Sequence, residues 1–246
     1  MLRVTLYFPL LFICLLGLSW PAHSQSSDNL TSIATAQAIY HEGTMLIDKR
    51  YQTKIDIRPH ADIEGKTYSR FGIGLPLIYL PIVGLSDFLG HYVNQDLADH
   101  LLFSAVPSFF GIVLFLALFK TMRKSGVNQT MAMVLTFASS VFTLSFRYSV
   151  HDHSEIIQAS LFMCALLLIL DKRQWLEIIA FSLLALTIMI KTYNIAIYGL
   201  FGLFVVYQSF HRQRSFWRTI IYAGAPLILT IFTIGALNYL RYGNAL

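Results

Sequence analysis

Charge is scarce in this 246-residue chain. Asp, Glu, Lys and Arg together make up 13% of it, against 56% hydrophobic residues and a mean hydropathy of +0.59. A soluble domain carries about 25% charged residues. So sparse a supply cannot coat a water-facing shell, which excludes a soluble enzyme and a disordered chain. Cysteine is nearly missing as well. Cys14 and Cys164 both lie inside apolar runs, with neither the number nor the spacing of a disulfide framework or a zinc site. There is no Walker A loop, no Rossmann glycine pattern, no HExxH and no GxSxG. The 18 basic against 13 acidic residues give a net charge of +5. The basic residues cluster between apolar runs, where orientation in a membrane places them, so nucleic acid is not an expected partner. An integral membrane protein remains.

What is present is a series of uncharged runs suited to crossing about 30 Å of hydrocarbon. They are Val4–Trp20, Leu101–Phe119, Met131–Phe146, Ile156–Leu170, Trp175–Ile190, Tyr193–Phe210 and Thr219–Leu240. The first follows Arg3 and also has the form of a secretory signal, with Ala22-His23-Ser24 as a small-x-small site before Gln25. The connectors orient the series. Lys120, Arg123, Lys124, Lys172, Arg173, Arg212, Arg214 and Arg218 fall in one set, and only Arg147, Lys191 and Arg241 in the other. The positive-inside rule puts the first set in the cytoplasm.

An eighth apolar stretch, Phe71–Ser86, breaks parity if it crosses while Arg3 stays inside. Pro76 and Pro81 argue against a regular spanning helix, so a re-entrant or interfacial segment is expected. The expected fold is therefore all-α: a polytopic transmembrane helical bundle of about seven spans with a large extracytoplasmic first loop. Residues 1–20 form the first span, 21–99 the loop with its interfacial segment 71–86, and 100–246 a six-span bundle. Within the loop, Ile33, Ala36, Ile39 and Tyr40 have helical spacing, Ser27 or Asp28 suits the N-cap, and Gly43 marks a break.

The candidate chemistry lies in the outer connectors. Asp28 stands just beyond the first span, as a helix cap or as a general base at the bilayer surface. His151-Asp152-His153-Ser154-Glu155 precedes a span, with Asp152 and Glu155 three apart on one helical face. The segment is a solvated connector, or else a site for a divalent cation or a cationic group held by Asp152 and Glu155 with flanking His153. Lys66, Tyr68 and Arg70 precede Phe71, as interfacial anchors or as a phosphate clamp. Lys191 runs against the charge bias, snorkelling or pairing with a lipid phosphate.

These pieces resemble the membrane glycosyltransferases of the C superfamily (GT-C), the group that contains protein O-mannosyltransferases and lipid A aminoarabinose transferases. Ser27-Asp28-Asn29 looks like the opening of that family's first outer loop. Tyr68-Ser69-Arg70-Phe71-Gly72-Ile73-Gly74, with Leu75-Pro76-Leu77 and Leu80-Pro81, is similar to its membrane-approaching segment. Asp152 and Glu155 fall where the family has a second acidic motif, and Asn238-Tyr239-Leu240-Arg241-Tyr242-Gly243-Asn244 looks like the element after a later span.

The resemblance implies an inverting transfer of a sugar from a polyprenyl-phosphate donor, at the extracytoplasmic face of a bacterial inner membrane. Asp28 would be the catalytic base. Asp152, Glu155 and His153 would form the acceptor or second acidic site, with a divalent cation on Asp152 and Glu155 as the one cofactor in view. Lys66, Tyr68, Arg70 and Lys191 would bind the donor phosphate. Family members are usually longer, so a truncated or inactive chain, or a partner chain supplying missing spans, is an expectation too. A transporter or a non-catalytic envelope-assembly protein is the alternative. A transporter would need ionisable residues deep in the spans, and Glu177, near one inner end, is the only acid close to that description.

Overall fold

The computed structural model describes residues 2–19, 27–47, 60–61, 67–69, 71–151, 153–171, 173–211 and 215–242, without the side chains of 2–6, 27–28, 60–61 and 242. Ten α-helices carry the described part of the chain: α1 (Leu2–Leu18), α2 (Ser27–Glu42), α3 (Gly74–Gly90), α4 (Gln95–Lys124), α5 (Gln129–Val141), α6 (Leu144–Val150), α7 (Ser154–Ile169), α8 (Leu176–Ile190), α9 (Ile195–His211) and α10 (Phe216–Tyr242). A 3-10 turn, Thr192–Asn194, leads into α9. Two-residue strands β1 (His60–Ala61) and β2 (Thr67–Tyr68) pair antiparallel, and Leu46 bridges to Tyr68.

Three stretches are long and apolar enough to cross a membrane: Gln95–Lys124, Thr192–His211 and Phe216–Arg241. α1, α3, α7 and α8 are shorter apolar helices. The run Met131–Phe146, read from sequence as one span, is broken into α5 and α6 with a 61° bend. The cause is local. Thr143 leaves helical geometry at φ −121° and ψ 179°, and its hydroxyl accepts from Ser145 N–H to cap α6. The same hydroxyl donates to the Ser139 carbonyl at 2.5 Å, so one side chain closes both helix ends.

The contacts sort the connectors onto two ends of the bundle. At one end Lys124 Nζ donates to the Leu167 carbonyl and to Asp171 Oδ2, at 3.2 and 3.0 Å, and Gln174 donates to Ser215 O and Thr219 Oγ1. At the other end Lys191 meets Glu155, and Asn194 meets Gln158. α4 packs on α7 and on α6, where Ser108 Oγ, near the middle of α4, donates to Ser149 O at 3.0 Å. Its N-terminal half carries α3 through the Tyr79–Phe103 edge contact and through Ser86 and Gln95, which both bond Asp99.

Helix α3 runs through both prolines. Pro76 sits in the first turn, where no intrahelical donor is lost, and Pro81 lies inside the helix. The prolines therefore leave the segment helical, contrary to the sequence expectation that they would interrupt it. α2 lies beside α3. Its Ile33 and Ala36 share a core with Leu75, Tyr79, Val83, Ile156 and Ile190. The core continues through Phe181, Leu184 and Val205 between α8 and α9, and a third cluster seats α1 on α4 to α6 through Phe12, Phe115 and Val150.

Candidate functional site

Asp28 is the second residue of α2, within its first turn, and its side chain lies outside the described residues. The far end of that helix is placed by α3: a methyl group at Gly84 would lie 3.2 Å from Tyr40 Oη, and His41 Nε2 stands 3.7 Å from Asp87 Oδ2. Gly43, at φ 65°, ends α2 in the left-handed conformation that glycine adopts most readily, as its sequence position suggests.

The start of α3 is pressed onto the end of α8. A Cβ at Gly72 would come 2.0 Å from the Met189 carbonyl oxygen, and one at Gly74 2.6 Å from the Ile190 nitrogen. Two backbones approach here as only glycine permits. The described residues before this contact are bonded to one another. Ile47 N–H donates to Thr67 O, Tyr68 is buried in β2, and Ser69 Oγ accepts from Phe71 N–H at 3.1 Å. From the far side Arg241, buried at the end of α10, donates from Nη1 to the Phe71 carbonyl at 3.5 Å and brings Nε to Met45 Sδ.

One residue beyond Ile190 the polypeptide turns extended at Lys191, φ −143° and ψ 116°. Lys191 Nζ donates to Glu155 Oε1 at 2.5 Å, and His153 Nδ1 lies 3.9 Å from Glu155 Oε2 with its ring tilted on Tyr148. Glu155 precedes the apolar run of α7 and is partly open to solvent. Burial pushes its carboxyl pKa up, but the hydrogen bond and charge of Lys191, a backbone bond and His153 outweigh it and hold the carboxyl below its ordinary 4.5. Beneath this pair Asn194 and Gln158, both buried, form a second cross-link: Asn194 Nδ2 donates to Gln158 Oε1 at 2.6 Å and to the Thr187 carbonyl at 2.9 Å.

Of the residues singled out in the sequence, His153, Glu155, Lys191 and Tyr68 are described at this end of the bundle, and of Asp28 only the backbone, in the first turn of α2, is described. Asp152, Lys66 and Arg70 lie outside the described residues. Sequence reading passed over Gln158 and Asn194, and took Arg241 as an outer-connector charge within the family-like Asn238–Asn244 element. Gln158 carried a signal, a lone amide in an apolar run three residues after Glu155. Asn194 sits in a short connector where an Asn is unremarkable.

As a cation site the described residues are a poor fit. Glu155 already holds an ammonium, and no group of three or more His, Cys, Asp or Glu side chains converges among the described residues. At the opposite end Glu177 is fully buried in the first turn of α8 and accepts from Thr219 Oγ1 at 3.2 Å. Comparison with family models, with curated proteins and with solved structures finds no match to this chain. Identity therefore rests on the site itself: an all-α membrane protein with a charged pair at one end of its bundle, next to the contact between α3 and α8.

Proposed function

We propose that this chain is a membrane glycosyltransferase that moves a sugar from a polyprenyl-phosphate donor to an acceptor at the end of the bundle bearing Glu155 and Lys191. One observation carries the reading: Gly72 and Gly74 lie flush on Met189 and Ile190, so that the start of α3 meets the bundle next to Lys191 and its partner Glu155. A lipid-linked donor must be met at headgroup depth, and a helix seated at the end of an apolar bundle suits that need.

In this reading the bundle crosses the membrane about seven times, and the α2–α3 layer faces outward from a bacterial inner membrane. The crowding of Lys120, Arg123, Lys124, Arg173 and Arg218 at the opposite end supports that orientation. Asp28 accepts the proton of the acceptor hydroxyl or amine as the acceptor's heavy atom bonds the anomeric carbon. The glycosidic C–O bond breaks toward the polyprenyl phosphate, which leaves as an anion. Lys191, with Lys66, Tyr68 and Arg70, stabilises that developing charge. Glu155, with Asp152 and His153, orients the acceptor. No step is routed through a metal, because Glu155 is committed to Lys191. The residue that would favour a transporter, Glu177, is at the far end and bonded to Thr219.

The test is sugar transfer from radiolabelled polyprenyl-phosphate donors in membranes containing the chain, comparing wild type with Asp28→Asn. Loss of a positioned general base costs about 10²- to 10⁴-fold. Equal turnover by both proteins would remove Asp28 from the mechanism, and no turnover by wild type over any donor would remove the reading.

A further inference from the structure

The amide pair Gln158–Asn194 takes no part in the transfer chemistry proposed for Lys191 and Glu155, yet it is built with unusual completeness for two polar side chains buried among apolar helices. Gln158 follows Glu155 by three residues on α7, and Asn194 follows Lys191 by three across the connector. Both cross-links therefore join the same two strands of chain, one rung below the other. Two bonds tie the lower rung to the backbone of Lys191. Its backbone N–H donates to the Thr187 carbonyl at 2.9 Å, and that same carbonyl accepts from Asn194 Nδ2. Its own carbonyl accepts from the Asn194 backbone N–H at 3.0 Å. The remaining Asn194 donor goes to Gln158 Oε1, and Gln158 Nε2 donates to Ser154 O and Ser154 Oγ at 3.2 and 3.4 Å.

We infer that Gln158 and Asn194 are positioning residues: a buried, neutral clamp that holds the extended turn at Lys191 so that its ammonium stands against Glu155 at the mouth of the bundle. The physical logic is a division of labour by depth. A charge at the level of Asn194 would pay the full desolvation cost, whereas two amides that satisfy each other can be buried and still set the backbone. The ammonium one rung higher is then aimed without being buried. A long, flexible lysine would otherwise sample many rotamers. The consequence for catalysis rests on the reading of this end as the donor site, but the positioning itself does not.

Acylation of lysine needs the free amine, so an ammonium held on a carboxylate reacts slowly. Purified, detergent-solubilised protein is treated with an amine-reactive ester, and labelling at Lys191 is compared by mass spectrometry with labelling at Lys120 and Lys124 in the same sample. Glu155→Gln marks the fully released state. Gln158→Leu and Asn194→Leu are expected to raise the Lys191 rate toward that level, roughly ten-fold for loss of a buried hydrogen bond, with Lys120 and Lys124 unchanged. The exchanged pair, Gln158→Asn with Asn194→Gln, keeps both amides and is expected to restore slow labelling. Should the leucine variants fail to fold, Gln158→Asn and Asn194→Ser alone shorten the clamp and give the same ordering. Wild-type labelling at Lys191 in folded single variants, or a rise shared equally by all three lysines, overturns the inference. Selective release at Lys191 in a protein that transfers no sugar would uphold the clamp and discard the glycosyltransferase reading.

Discussion

Glu155 shows how one carboxylate is tuned by what surrounds it. Desolvation alone would push its pKa up, and the Lys191 ammonium at 2.5 Å reverses the sign. A carboxyl whose pKa is lowered on folding contributes stability above its unfolded value of 4.5 and loses it as pH falls through the depressed folded value. Thermal unfolding in detergent should therefore show wild type losing stability below pH 4.5 more steeply than Glu155→Gln, with the two curves parallel near neutrality. Identical acid limbs would mean that the pair adds nothing to the fold. Asp171 is a contrasting case at the opposite end. Lys124 and Arg173 hold its carboxyl well below the usual range, but it is partly open to solvent, and solvent screens such pairs.

At the scale of elements, the seating of α3 on α8 depends on two missing side chains. A methyl group at Gly72 meets the Met189 carbonyl at 2.0 Å, and backbone cannot swing aside. Gly90 has an equally short contact, but with the end of the Gln95 side chain, which can move. Gly199 and Gly202 of α9 have nothing within 4 Å. Gly72→Ala should therefore cost at least about 1–3 kcal/mol as overpacking against rigid structure. Gly199→Ala should be neutral or gain up to about 1 kcal/mol from helix propensity. Denaturant titration of the three variants checks the order, and Gly90→Ala should fall between them. The α5–α6 break belongs to this scale too. Its cause, a threonine that caps one helix and bonds the last turn of another, is chemistry that hydropathy windows do not register.

At the scale of the molecule, the clustered basic residues of the connectors, Lys124 and Arg173 among them, lie at one end and the Glu155–Lys191 pair at the other. Single cysteines at Tyr92 and His153, both accessible at the α2–α3 end, should react with a membrane-impermeant reagent from one side of the membrane. A cysteine at Ser125, in the connector after α4, should react from the other. Reaction of the Tyr92 and His153 positions from opposite sides would separate the α3 layer from the Glu155–Lys191 pair and end the proposal of a shared site.

The amino-acid sequence by itself determined that this is a helical membrane protein. Hydropathy follows solvent contact residue by residue and needs no tertiary information, so the apolar runs at Leu101–Phe119 and Thr219–Leu240 were legible at once. So was α2 with its end at Gly43, because helical spacing and a glycine stop are local signals. The partners across space were not legible. That Lys191 meets Glu155, that Asn194 locks onto Gln158 and that Gly72 lies on Met189 depend on helix packing between segments far apart in the chain, and nothing in either segment alone encodes the other. Only the tertiary structure brought the start of α3 onto the end of α8, because that is where two glycines allow one backbone to rest directly on another.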